Sequence, residues 1–185
     1  MCYNSVGDNM DLISKYDLVL LDNFLCDIKY ATLENFMGKI LYYDVPCVLR
    51  RGTYNKLCFV QNDLKEMGLQ LKIWDAYRPY KVQEEMWEVI QNEKYVSNPS
   101  KNTYHPRGNA VDVTLCDLEG NELEMPTDFD SFSLKAAWSS KDDWNDSARR
   151  NAILLKMVME RYGFVTIDSE WWHYNDSEEY DVIFD

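Results

Sequence analysis

The apolar positions of this chain change period several times, and each change marks an element. FLCDIKYA (24–31) alternates enough to predict a strand. TYNKLCFVQNDLKEMG (53–68) sets Leu57, Val60, Leu64 and Met67 at helical spacing, and Gly68 supplies a stop. LQLKIWDA (69–76) alternates Leu69, Leu71 and Ile73 with polar neighbours, the period of a strand. Pro79 stands where a helix begins, and YKVQEEMWEVIQN carries Val82, Met86, Val89 and Ile90 along one face. NEKYVSNPSKNTY (92–104) is loop by composition.

The second half adds a strand at NAVDVTLC (109–116), with Val111, Val113 and Leu115 on one face and Ala110, Asp112 and Thr114 on the other. LEGN (118–121) reads as a turn, and a long polar stretch runs to about 144. NDSARRNAILLKMVMERYG (145–163) is the clearest helix, capped by Asn145 or Asp146 and ended by Gly163. FVTI (164–167) and WWHY (171–174) predict short closing strands. No repeat, low-complexity tract or linker interrupts residues 1–185, so one α+β domain with a mostly antiparallel sheet is expected.

Composition narrows the function classes. With 46% apolar and 14% aromatic residues, the 185-residue chain can bury a sizeable core. A balance of 32 acidic to 19 basic residues gives a net charge of −13, which repels nucleic acid and anionic lipid. Arginines pair only in LRRG (49–52) and ARRN (148–151), and neither pair extends into a basic stripe. No apolar run approaches the ~18–20 residues of a membrane span. Five cysteines, at 2, 26, 47, 58 and 116, form no CxxC pair, so reduced thiols in a cytoplasmic protein are expected. No signal peptide stands at the start; the alternative is a lipid-modified Cys2 left by a removed leader.

The chain holds two histidines. His105 opens HPRGNAVDVTL, seven residues before Asp112, and His173 lies in SEWWHYN (169–175). An aspartate inside an apolar strand is costly to bury unless its charge is paired. Read alone, Asp112 is a strand-edge residue facing solvent and His105 a hydrogen-bonded loop residue. Gly108 permits a tight bend that could return His105 over the strand, bringing both to one ion. His173 is then a third ligand candidate, and Glu170 is a base for metal-bound water. In a regular strand residues three apart face opposite ways, so this pairing requires an irregular strand start. Otherwise Glu170 is an exposed acid beside core tryptophans. Arg78 in WDAYRPY (74–80) sits at a strand-to-helix corner, where a side chain reaches a cleft or pairs with a surface acid.

Together these segments resemble the VanX-type D-alanyl-D-alanine dipeptidases, within the wider group of zinc D-Ala-D-Ala peptidases. That group's pattern S-x-H-x-x-G-x-A-x-D reads here from Thr103 through His105, Gly108 and Ala110 to Asp112, and its E-x-x-H reads Glu170 to His173. The resemblance extends through DIKYATLENFMGK (27–39), RRGTY (50–54), IWDAYRP (73–79), MPTDFDSF (125–132) and GFVTIDSEWWHY (163–174).

The resemblance implies the hedgehog/D-Ala-D-Ala peptidase-like fold and one Zn²⁺ on His105, Asp112 and His173. It implies Glu170 as general base, Arg78 as the oxyanion partner, and Tyr30, Thr103 and Asp130 as contacts to a small D,D-dipeptide. The implied activity is hydrolysis of D-Ala-D-Ala; the alternative on the same scaffold is a D,D-carboxypeptidase or cell-wall peptide hydrolase acting on longer stem peptides. Two positions depart from the family. Thr103 replaces its serine, and the segment between the Arg78 helix and His105 is shorter, which is expected to reduce the wall that restricts substrate length.

Overall fold

The computed structural model describes residues 5–101 and 103–184, so Cys2 lies outside the described residues. The chain passes through helix α1 (Ser5–Lys15), strands β1 (Leu18–Leu20), β2 (Leu25–Cys26) and β3 (Val48–Arg50), and helix α2 (Arg51–Glu66). Strand β4 (Leu69–Asp75), helix α3 (Tyr80–Val89), strand β5 (Ala110–Asp117), helix α4 (Asp146–Arg161) and strands β6 (Phe164–Ile167) and β7 (Glu170–Asp176) follow. Five strands form one sheet in the order β2-β4-β5-β7-β6, antiparallel except for the short β2–β4 pair. β1 and β3 make a separate antiparallel pair. The class is α+β with helices flanking the sheet, as the sequence predicts. Among the described residues no helix is long and apolar enough to cross a membrane.

Periodicity explains the packed face. α2 buries Leu57, Val60 and Leu64, and α4 buries Ala152, Leu155, Val158 and Met159. Both cover the side of the sheet that presents Leu71, Ile73, Val111, Val113 and Leu115. Each such aliphatic side chain contributes about 1.5–3 kcal/mol when fully buried. The Asn145 carboxamide caps α4 by accepting from the Ala148 amide at 2.8 Å. Met67, at the end of the α2 pattern, lies past the helix and is exposed.

The opposite face of β5 is not solvent-facing. Every residue from Ala110 to Cys116 is buried, including Asp112 and Thr114. The strand therefore buries charge on one side and aliphatics on the other, which overturns the reading of Asp112 as an exposed edge residue.

The strand predicted over 24–31 is mostly absent. Only Leu25 and Cys26 pair with β4; after the Asp27 amide bonds to Ile73 O, residues 29–31 turn into a 3₁₀ helix that buries Tyr30. Apolar residues here serve two packing clusters rather than one strand face, and the pattern does not distinguish these. α1, β1 and β3 escape sequence reading because two of them are three residues long, too short to establish a period.

Candidate metal centre and active site

One row of residues crosses three strands. Asp112 lies opposite Asp75 of β4 on one side and His173 of β7 on the other. A register irregularity between Ile73 and Asp75 brings Asp75 into that row. A second one lies at the β6–β7 turn: Ile167 pairs with Glu170, but Thr166 pairs with Tyr174. Residues 171–173 therefore have no partners on β6, and this bulge turns Glu170 toward the same side as His173. Glu170 Oε2 lies 3.9 Å from His173 Nδ1. The irregular strand start that the Glu170–His173 spacing requires is present.

His105 comes from above the row. It opens a 3₁₀ turn, His105–Arg107, closed by Gly108 in the left-handed region at φ 72°. The Gly108 amide donates to His105 O at 3.0 Å, and an added Cβ would meet Leu18 at 3.4 Å. Gly108 thus lets the loop fold back over β5.

The three side chains converge. His105 Nε2 lies 3.4 Å from Asp112 Oδ2, His173 Nδ1 lies 3.0 Å from Asp112 Oδ1, and the two ring nitrogens are 3.3 Å apart. Candidate ligand atoms from all three lie within 4.8 Å of one another, and all three residues are buried. The outer nitrogens fix the tautomers. His105 Nδ1 is 2.7 Å from Ala76 O and His173 Nε2 is 2.8 Å from Asn175 Oδ1, both acceptors, so each ring donates outward. With the outer nitrogens donating, the neutral form of each ring points a bare lone pair at the other ring and at the Asp112 carboxylate. Three acceptors with no donor between them fit a cation, and the outward donations match the way metal-bound histidines are held. Two neutral imidazoles and one carboxylate suit zinc.

Glu170 and Arg78 flank this cluster. Burial raises the Glu170 carboxyl to about 8, with Asp112 and Asp130 adding to the rise and His173 opposing it. A carboxyl poised near neutral pH can both take and return a proton. Arg78 donates to Asp75 Oδ2 through Nε at 3.1 Å and Nη2 at 2.8 Å, and to Gln83 Oε1 at 2.9 Å. Burial works most strongly against its charge, but Asp75 together with Tyr30, Tyr42 and Asp112 outweighs it and holds the guanidinium well above its ordinary value. Its carbon stands 4.9 Å from the Tyr30 ring centroid, and Nη2 lies 3.9 Å from Asp112 Oδ2. The arginine is ion-paired and also faces the cavity.

The remaining predicted residues line the same cavity of about 290 Å³, near the lower end of small-ligand pockets. Tyr30 donates to Asp130 Oδ1 at 3.1 Å, and the Phe36 amide donates to Asp130 Oδ2 at 3.1 Å. Burial raises the Asp130 carboxyl to about 7. The buried Thr103 hydroxyl has no hydrogen-bond partner among the described residues and lines the cavity. A wider groove of about 950 Å³ lies beyond Asp130 and Phe36, which line both spaces, but none of the histidines reaches it.

Sequence reasoning missed the residues that hold others in place. Asp75, fully buried, accepts from Arg78 and from the Tyr42 hydroxyl at 2.8 Å. The signal was available, since Asp75 ends an apolar strand just as Asp112 interrupts one. Asn175 and Gln83 left no such mark.

A family model described as D-ala-D-ala dipeptidase matches residues 12–183. Among curated proteins, a D-alanyl-D-alanine dipeptidase of Escherichia coli is 35% identical over 156 residues, covering 84% of this chain and 80% of its own. One from Enterococcus faecalis is 30% identical over 176 residues, covering 83% and 86%. Among solved structures, the LdcB LD-carboxypeptidase superposes with a TM-score of 0.50 at 15% identity, over 86% of this chain and 67% of that one, a likeness of fold.

Proposed function

The chain belongs to the D-ala-D-ala dipeptidase family and is a peptidase; from that premise we propose that it hydrolyses free D-Ala-D-Ala at a zinc site formed by His105, Asp112 and His173. The observation that carries this reading is the convergence of three acceptors without a donor, beside a buried carboxyl and a buried arginine in one cavity.

Zinc bound there supplies a Lewis acid that makes water nucleophilic near neutral pH. The chain's own groups do the rest. Glu170 takes the proton from the attacking water and returns it to the amine of the departing D-alanine. Arg78, held by Asp75 and Gln83, presents its N–H groups to the scissile carbonyl oxygen as negative charge develops. Asp130 accepts the substrate ammonium, positioned by Tyr30 and the Phe36 amide. Thr103 offers its unpartnered hydroxyl to a polar substrate atom.

Glu170→Gln tests the scheme, because the amide keeps the shape but cannot accept the proton. The variant should bind zinc and D-Ala-D-Ala like the parent yet lose ~10²–10⁴ in kcat. A near-normal rate in this variant would remove Glu170 from the mechanism.

A further inference from the structure

The segment from 27 to 46 contributes Tyr30 and Phe36 to one wall of the catalytic cavity, and its two ends meet at a pair of thiols. Cys26 ends β2 and Cys47 precedes β3; they are 21 positions apart, yet their sulfurs approach to 3.3 Å. Cys26 is exposed and Cys47 half-buried. Leu21 clasps both, since its amide donates to Cys47 O at 3.0 Å and its carbonyl accepts from the Cys26 thiol at 3.6 Å.

Above this neck the segment closes on itself, with the Leu41 and Tyr42 amides both donating to Tyr30 O. Its site-facing bonds are those of Tyr30 and Phe36 to Asp130 and of Tyr42 to Asp75. The thiol pair therefore stands at the neck of the wall.

We propose that Cys26 and Cys47 form a redox-active dithiol that a small-molecule disulfide, such as oxidised glutathione, converts to an intramolecular disulfide stapling this wall at its neck. The hydrogen bond from Cys47 holds the Cys26 thiol below its ordinary value, and bonding to Cys26 together with burial pushes Cys47 up. The exposed sulfur is thus the nucleophile and the sheltered one the resolving partner. The Cys26 thiolate attacks one glutathione sulfur, forming a mixed disulfide and releasing glutathione thiolate. Cys47 then loses its proton and attacks Cys26 Sγ, forming the protein disulfide and expelling the second glutathione. Two thiols lose two electrons and two protons, and one glutathione disulfide becomes two glutathiones. The two sulfurs, already in contact at 3.3 Å, close to the ~2.05 Å of a disulfide.

The test needs no substrate and is independent of the assigned activity. The whole protein is equilibrated with oxidised glutathione, alkylated and peptide-mapped, with fully buried Cys116 as the internal control. The expected result is a Cys26–Cys47 cross-link, a melting temperature higher by roughly 5–10 °C, and slower amide exchange across residues 27–46. Cys47→Ser should instead trap a stable glutathione adduct on Cys26, and Cys26→Ser should give neither product. Recovery of both residues as alkylated thiols, or of wild-type Cys26 only as the glutathione adduct, would overturn the proposal.

Discussion

Asp112 and His173 are direct cross-strand partners, with Asp112 Oδ1 3.0 Å from His173 Nδ1. Strand register, rather than a flexible loop, therefore fixes two of the three candidate ligands. His105 is the one that depends on a turn. Losing either histidine leaves two candidate ligands, too few for a stable catalytic zinc site. The parent should carry about one zinc per chain by elemental analysis, and the His105→Ala, His173→Ala double variant should carry none. Tight zinc retention in the double variant would contradict the assignment.

Asn175 gives a finer test of the same centre. Its carbonyl oxygen fixes the His173 tautomer from outside. Asn175→Ala should weaken zinc affinity by ~10–100-fold without removing a ligand. Competition with a chromogenic chelator reads this directly, and unchanged affinity would mean that the tautomer is held in another way.

Arg78 and Asp75 should respond differently to truncation. Arg78→Ala should lower kcat by ~10²–10³, the cost of one lost oxyanion donor. Arg78→Lys should not restore it, because a single ammonium nitrogen lacks the planar fork that bonds Asp75 and Gln83 and still faces the cavity. Asp75→Ala should destabilise the fold by about 3–5 kcal/mol, since it strands a buried guanidinium. Denaturant midpoints of the variants separate the catalytic loss from the structural one.

These outer partners also mark the limit of what the sequence conveys. His105, Asp112, Glu170 and His173 were legible because two histidines and one aspartate in an apolar strand are rare enough to invite a joint reading, and a family pattern joined them. Tyr42, Gln83 and Asn175 act through hydrogen-bond direction, which neither composition nor spacing encodes. The same holds for the segment around Tyr30, where a strand is expected and a 3₁₀ turn forms. Hydrophobic patterning located α2 and α4 within a few residues because each buries one periodic face. It located β4 to β7 because each is a short stretch rich in apolar residues, with β5 and β7 buried on both faces. Cys26 and Cys47 look unrelated in sequence, since only the fold of the intervening wall brings them together.

Asp130 gives the pH signature. Burial raises its folded-state carboxyl to about 7, above the ~3.9 of an unfolded aspartate. The folded protein therefore binds more protons than the unfolded chain across this window. The stability linked to Asp130 is full below about pH 4 and is lost as pH rises toward 7. Relative to Asp130→Asn, the substrate-free parent should lose stability over this range and then level off. A flat difference between the two proteins from pH 4 to 8 would show that Asp130 is not protonated in the folded state.

Recognition of a free amino terminus is read from kcat/KM for D-Ala-D-Ala against N-acetyl-D-Ala-D-Ala with the zinc-loaded protein. An acylated substrate leaves Asp130 without its cationic partner. With its carboxyl raised to about 7 the residue takes up a proton instead, so the loss is that of the charged hydrogen bond to the ammonium. A preference for the free dipeptide of about 10–10²-fold is expected, with a marked reduction of that preference in Asp130→Asn. Equal values for the two substrates, unaffected by that substitution, would contradict it and favour a carboxypeptidase acting on longer stem peptides.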